Sequence, residues 1–380
     1  MVVHTPPPPE ARGRQPHASA AAWTSAPRLS RVFLALISLS VVSVLAVSSR
    51  MGGAPRLQSP GTMKRASALD TNAAAAGTEA GTAETDFPTT DAPDDDDVAI
   101  PRIIHQSWKT IYRIPTRFHP WMKSWVAFHP TWTYVFWTDQ DNLRLFEQLY
   151  PQYLHVAKAV KKVSLADMAR YALLHRVGGL YADADFECLQ PFDGLHRDNK
   201  LFLSSEPLVH TVLLEKATSA ALCNALMASA PGHPFWLRIL DNIKDKFDRE
   251  RLKSDAVELT GPRMVKQTYL SPKSTFNAAD SDVVVFPSEY FYPEVAYWNI
   301  APMRTACRHR HDDAANEACE WLERFPKGEF TNKTHATHHW QCTWCRDAQL
   351  DEFGPLKDVF ESAAMRPNIT STGIEFVALK

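Results

Sequence analysis

The chain has 380 residues, a hydrophobic fraction of 45% and a formal charge of −2. That is long enough for one sizeable core, and it lacks the basic excess typical of a nucleic-acid binder, so we expect no nucleic-acid partner. Residues 1–31 are rich in Pro, Ala, Ser and Arg and cannot bury a core, so they read as a disordered tail.

Residues 32–49 form an uncharged apolar run of 18 residues bracketed by Arg31 and Arg50. As a helix it would be about 27 Å long, enough for a thin secretory-pathway bilayer. A cleaved signal peptide would have a shorter apolar core nearer the start, so the run is read as an uncleaved signal anchor. Arg12, Arg14, Arg28 and Arg31 precede it, whereas Arg50 and Arg56 follow, which favours a cytosolic N-terminus and a lumenal remainder. Two Asn-x-Thr sequons, at Asn332 and Asn368, agree with a lumenal C-terminal portion. Residues 50–98 are an Ala/Thr/Gly/Asp-rich stretch ending in four consecutive aspartates and read as a flexible stem. A globular domain is expected over residues 99–365 and a short tail over 366–380.

Within the globular part, residues 102–106 and 131–137 read as strands, 115–128 and 142–150 as helices, and 155–163 as strand-like. Residues 164–177 follow helical spacing from Ser164, a candidate N-cap with Asp167 at capping-box distance, to the stop at Gly178-Gly179. Residues 180–186 read as a strand in which Tyr181, Asp183 and Asp185 share one face, the two carboxylates about 6.5 Å apart. Later elements are a strand at 200–205, a helical region at 219–229, a helix at 235–247, a helix opened by Thr260-Gly261-Pro262 and a strand at 283–286. This alternation predicts an α/β domain with a mainly parallel sheet, in which ligands gather at the carboxyl ends of strands. Trp108, Asp139, Asp183 and Asp185 all stand at or near such ends.

A paired acid alone is a weak signal. The surrounding pattern is stronger: S-x-x-D-x-x-R-Y, then G-G-x-Y-x-D-x-D over residues 164–185, with Ile-Pro-Arg-Ile-Ile-His-Gln-Ser-Trp upstream at 100–108. It resembles the DXD-containing sugar transferases of glycosyltransferase family 32, over about residues 100–345. The resemblance implies a GT-A-like, Rossmann-like nucleotide-sugar transferase domain. It implies that Asp183 and Asp185 hold Mn²⁺ on a donor diphosphate, that Asp167 and Arg170 contact donor sugar or ribose hydroxyls, and that Trp108 stacks on the nucleotide base. It further implies that His338, followed by His339-Trp340, completes the metal site.

Other readings stand beside these. Asp167 is otherwise a capping acid with Arg170 as its surface partner, and Trp108 otherwise plain core. Tyr171 and Tyr181 are read as packing residues. Six cysteines in an oxidising lumen favour disulfides, with Cys307–Cys319 as a local bridge and the other pairs open. The set His335, His338, His339, Cys342 and Cys345 has an alternative use as a zinc site.

The expected activity is that of a Golgi type II glycosyltransferase. It would move a hexose, foremost mannose from GDP-mannose, onto a glycan hydroxyl with Mn²⁺ assistance and with retention. The acceptor is an N-glycan core or a glycolipid, chosen by the aromatic loop 287–298 and the Thr260–Pro262 region. The membrane is a partner through the anchor, and a Golgi transferase complex is an expected assembly. Alternatives are an inositol-phosphorylceramide mannosyltransferase, an inactive lectin-like secretory protein, and a metal-dependent phosphatase. The phosphatase is disfavoured because Glu187 stands where its motif has Thr or Val.

Overall fold

Short runs of β-branched and aromatic residues alternate with helices along the chain, and in the computed structural model they assemble into one eight-stranded sheet. The structure describes residues 99–271, 275–278, 281–310, 312–342, 352–360 and 362–379, all within the compact unit Phe87–Lys380. The expected tail, anchor and stem over 1–98 lie outside the described residues, as do Trp344 and Cys345. Among the described residues no helix is long and apolar enough to cross a membrane.

The sheet strands are β1 (Ile103–Ser107), β2 (Thr133–Trp137), β3 (Gly179–Ala182), β4 (Leu201–Ser205), β5 (Leu222–Ser229), β6 (Val283–Phe286), β7 (Ala364–Ile369) and β8 (Ile374–Ala378). Their order is β8-β7-β2-β1-β3-β5-β4-β6. β1, β2, β3, β4, β6 and β7 run one way, and only β5 and β8 oppose them. The sheet is therefore mixed but mainly parallel.

Side chains alternate across it, which produces two cores. Val135, Trp137 and Tyr181 face α2 (Asp139–Gln148), α3 (Lys162–Val177) and α4 (Pro234–Glu250). Tyr134, Phe136, Leu180 and Ala182 face α1 (His119–Phe128) and the aromatic residues Phe192, Phe291 and Tyr292.

Several expectations are corrected. Residues 219–229, expected helical, contain β5, which is buried along its whole length between β3 and β4. Its Leu, Ala and Met favour helices, but a run with no polar face fits a strand covered on both sides, and tertiary burial overrides local propensity. The strand-like 155–163 falls largely in the helix Leu154–Ala159. Residues 366–380, expected as a tail, carry most of the β7–β8 hairpin at the sheet edge.

The helix of the central motif begins at Lys162 with Lys161 as N-cap and no side-chain cap, so Ser164 and Asp167 lie inside it, buried. Its stop is as expected. Gly178 has φ +68° and its N–H donates to the Leu174 carbonyl at 3.0 Å. A Cβ there would meet the Ser229 carbonyl oxygen at 2.7 Å, so only glycine lets α3 turn into β3 this close to β5.

Candidate functional site

The site forms at the carboxyl edge of the sheet. β3 ends at Ala182, and the Asp183 N–H donates to the Ala225 carbonyl of β5 at 2.8 Å. From the neighbouring β1, the Gln106 side-chain amide donates to the Asp183 carbonyl at 3.0 Å. The chain then turns, the Phe186 N–H closing on the same carbonyl at 3.0 Å. The two aspartates thus converge through a tight turn and not through the alternation of one continuous strand, which was the expected cause.

After the turn, the short strand Phe186–Cys188 pairs antiparallel with Ala336–His338, Phe186 opposite His338. That register brings His338 beside an aspartate 153 residues earlier: its Nε2 lies 3.2 Å from Asp185 Oδ1. The Gln341 N–H donates to Asp185 Oδ2 at 2.8 Å, and the His339 N–H to the Asp185 carbonyl at 3.0 Å. Ligand atoms of Asp183, Asp185 and His338 all lie within 4.8 Å of one another. Two carboxylates and an imidazole at that spacing suit a divalent cation such as Mn²⁺ after small side-chain rotations.

α3 supplies the other flank. Arg170 Nη1 is 3.1 Å from Asp183 Oδ1 and donates to the Asn224 carbonyl at 2.7 Å. Its Nη2 is 3.4 Å from Asp167 Oδ1, and its guanidinium lies 4.5 Å from the Tyr181 ring centroid. Asp167 accepts from Asn224 Nδ2 and Thr260 Oγ1, both at 2.8 Å. Asp167 and Arg170 are 6% and 5% exposed, so neither is a surface ion pair nor a helix cap.

Electrostatics separate the acids. Burial pushes the Asp167 carboxyl up against the pull of Arg170, and burial likewise raises Asp183 despite the same guanidinium. At Asp185 burial is outweighed by His338 and the Gln341 N–H, which leaves its carboxyl below the usual range. His338 is pushed down by burial, but Asp185 more than restores it, and the net shift is upward.

The remaining expected residues fall as follows. Trp108 is half-buried just past β1; its indole N–H donates to the Arg113 carbonyl at 2.8 Å, and its ring meets Phe118 edge-on at 5.3 Å. It joins the aspartate network by no direct contact. His339 turns away from the cluster, with Nε2 2.9 Å from Glu187 Oε2 and its ring stacked on Trp121 at 3.9 Å. His335 contacts the Pro191 carbonyl, and the Cys342 sulfur is committed to a disulfide, so the alternative zinc set does not assemble. Cys307–Cys319 is a disulfide as expected, whereas Cys188 and Cys223 are buried free thiols.

Four contributors were not singled out from sequence. Tyr181 donates its hydroxyl to Asp183 Oδ1 at 2.8 Å; its place on the aspartates' strand was the available signal. Asn224 lay in a segment read as helix and carried none. Gln106 and the Gln341 backbone are visible only once the ends of β1 and the His338 loop are adjacent. Thr260, expected near the acceptor, holds Asp167 instead.

Residues 115–202 match the family model described as a glycosyltransferase sugar-binding region containing DXD motif. The chain is 31% identical over 121 residues to the initiation-specific alpha-1,6-mannosyltransferase of Saccharomyces cerevisiae, covering 30% of this chain and 25% of that protein. Residues 115–202 therefore resemble the DXD-containing sugar-binding region of family 32 glycosyltransferases. The chain is also 34% identical over 147 residues to inositol phosphoceramide mannosyltransferase 3 of Schizosaccharomyces pombe, covering 38% of its own length and 37% of the relative's. It therefore spans about a third of that relative's length. Among solved structures, the PaToxG glycosyltransferase aligns with a TM-score of 0.35 and 14% identity, over 61% of this chain and 82% of that one.

Proposed function

We propose that this protein is a mannosyltransferase that uses GDP-mannose and a divalent cation, Mn²⁺ foremost, to glycosylate a hydroxyl of a glycolipid or glycan. The observation that carries the reading is the convergence of Asp183, Asp185 and His338 beside the buried Arg170. The relatives, an inositol phosphoceramide mannosyltransferase and an initiation-specific alpha-1,6-mannosyltransferase, support the donor sugar. The first favours an inositol-phosphoceramide acceptor, with an N-glycan acceptor as the other reading.

In this reading Asp183, Asp185 and His338 would hold the cation, which would supply charge neutralisation to a diphosphate leaving group. Arg170 fixes the Asp183 carboxylate, and the Asp167–Asn224–Thr260 bonds fix Arg170. Trp108, at the same sheet edge, offers a ring face to the base. The mixed sheet with its site at the carboxyl edge supports a GT-A-like domain, and the family resemblance supports retention of configuration. The apolar run at 32–49 and the sequons support a type II Golgi membrane protein with a lumenal catalytic domain.

The test is turnover of GDP-mannose, UDP-galactose, UDP-glucose and UDP-N-acetylglucosamine by the full chain with Mn²⁺ and an acceptor panel including inositol phosphoceramide. GDP-mannose consumption that disappears in Asp185→Ala is the expected result. Failure to turn over any donor would remove the enzymatic reading.

A further inference from the structure

One cavity outside the aspartate–histidine cluster carries an unbalanced set of charges. It has a volume of about 460 Å³ and is lined by Arg304, Arg308, Arg310, Glu323 and the Cys307–Cys319 disulfide. That volume lies in the usual range for ligand pockets, about 300–1,000 Å³.

The single carboxylate of the lining is already engaged. Arg310 Nη2 donates to Glu323 Oε1 at 2.7 Å, and Arg310 Nε donates to the Cys307 carbonyl at 3.2 Å. Among the described residues the ion pair in this lining is Arg310–Glu323, and neither Arg304 nor Arg308 forms one. Three guanidinium groups around one cavity repel one another, and an anion seated between them would turn that repulsion into attraction.

The wall is also built to stay in place. The disulfide joins the turn Cys307–His309 to the helix Asp313–Arg324 (α5), and Cys319 is fully buried. Met303 and Leu322, from the two helices flanking the cavity, are buried with Val209 and Val295 in a third apolar cluster. The roots of Arg304 and Arg308 are therefore held before any ligand arrives, which lowers the ordering penalty on binding.

We propose that this cystine-braced cavity is an anion site that takes a phosphate group. Guanidinium forks match phosphate oxygens in pairs, whereas a carboxylate would satisfy fewer of the donors available here. The phosphate is borne either by a lipid headgroup, as a phosphodiester, or by free inorganic phosphate. The Arg310 side chain is 36% exposed, so binding weakens as ionic strength rises.

The test is calorimetric titration of the full chain, without divalent metal and at low salt, with inorganic phosphate and separately with glycerophosphoinositol. Saturable binding of either probe is expected, weakened about tenfold or more in the double variant Arg304→Gln/Arg308→Gln, since each lost charge-assisted bond is worth well over 1 kcal/mol. Tighter binding of glycerophosphoinositol assigns the headgroup source, and equal or tighter binding of inorganic phosphate assigns the free ion. Asp185→Ala must leave the binding unchanged, because the cavity does not use that carboxylate. Should the double variant fail to fold, Arg308→Gln alone, at an exposed position, gives the same readout. No saturable binding, binding indifferent to the arginines, or binding lost in Asp185→Ala would each overturn the proposal.

Discussion

Arg170 Nη1 stands 3.1 Å from Asp183 Oδ1, so one guanidinium buried in the middle of α3 fixes the first carboxylate of the DXD turn. The same nitrogen donates to the Asn224 carbonyl at 2.7 Å, and the other terminal nitrogen lies 3.4 Å from Asp167 Oδ1. Helix, turn and β5 therefore meet at this one buried side chain.

Removing that side chain leaves the buried Asp167 and the partly buried Asp183 without their cation. Arg170→Ala should lower unfolding free energy by about 3–5 kcal/mol, the usual loss when one partner of a buried charge network is removed. Urea denaturation reads this directly. Arg170→Lys should recover part of the stability but little activity, because one ammonium cannot reach Asp167, Asp183 and the Asn224 carbonyl together. A stable, fully active Arg170→Lys would show that the fork geometry is irrelevant.

Asp167 is expected from the family resemblance to touch the donor, yet both of its oxygens are engaged within the protein. Thr260→Val removes one donor and should reduce stability by about 1–2 kcal/mol. If Asp167 acts by holding Arg170, this variant should lower kcat with little change in donor KM. A raised KM with unchanged kcat would instead favour direct contact with the sugar.

How much of this was legible depended on whether cause and effect were close in sequence. The Gly178-Gly179 stop, the aspartate pair and the helical spacing of Asp167 and Arg170 are local, and the structure brings all four side chains together. The aspartate pair is legible as a pair, but a turn and not a continuous strand aligns Asp183 with Asp185. Asn224 was hidden because β5 is composed of helix formers and owes its extended form to burial between β3 and β4. Burial was also what separated Asp167 from a capping acid: residue spacing is identical in the two cases, and only packing against Asn224 and Thr260 decides. The β7–β8 hairpin was missed because it closes the sheet edge through partners more than 200 residues earlier in the chain.

The raised pKa of His338 makes cation binding pH-dependent. Without metal, the imidazolium is held by Asp185 at 3.2 Å, so an incoming cation must displace a proton at and above pH 6.5. Mn²⁺ affinity should therefore climb with pH, by about tenfold per unit for one displaced proton, until His338 is neutral. Electron paramagnetic resonance of free Mn²⁺ measures it without turnover. His338→Gln should bind more weakly and flatten the dependence; an unchanged slope in that variant would place the displaced proton elsewhere.

Trp108 offers a simple discrimination between platform and core. Its ring is half-buried against Phe118, and Lys109 Nζ lies 5.3 Å from its centroid. If it stacks on the donor base, Trp108→Ala should weaken donor binding by about 1–3 kcal/mol while Trp108→Phe retains most of it. Both would be read from nucleotide-diphosphate titrations. A large loss of stability in Trp108→Ala with unaltered nucleotide affinity would return Trp108 to the core.

His105 contributes to the acid limb of stability. It is fully buried, and its orientation assigns its tautomer: the Trp137 indole N–H donates to Nδ1 at 3.1 Å, so Nε2 carries the hydrogen and donates to the Gly178 carbonyl at 3.0 Å. Protonating Nδ1 would set two N–H groups against each other, and burial accordingly pushes the imidazole down from 6.5 to about 4. Between those values the unfolded chain binds a proton that the folded protein refuses. The contribution is therefore complete above pH 6.5 and is lost as pH falls toward 4, amounting to about 3 kcal/mol at about 1.4 kcal/mol per unit. His105→Leu should be less stable at neutral pH, because it strands the Trp137 N–H and the Gly178 carbonyl, and its stability should fall less steeply between pH 6.5 and 4. Denaturant midpoints across that window compare the two proteins. Parallel curves would mean that His105 titrates normally and that some other buried group sets the acid limit.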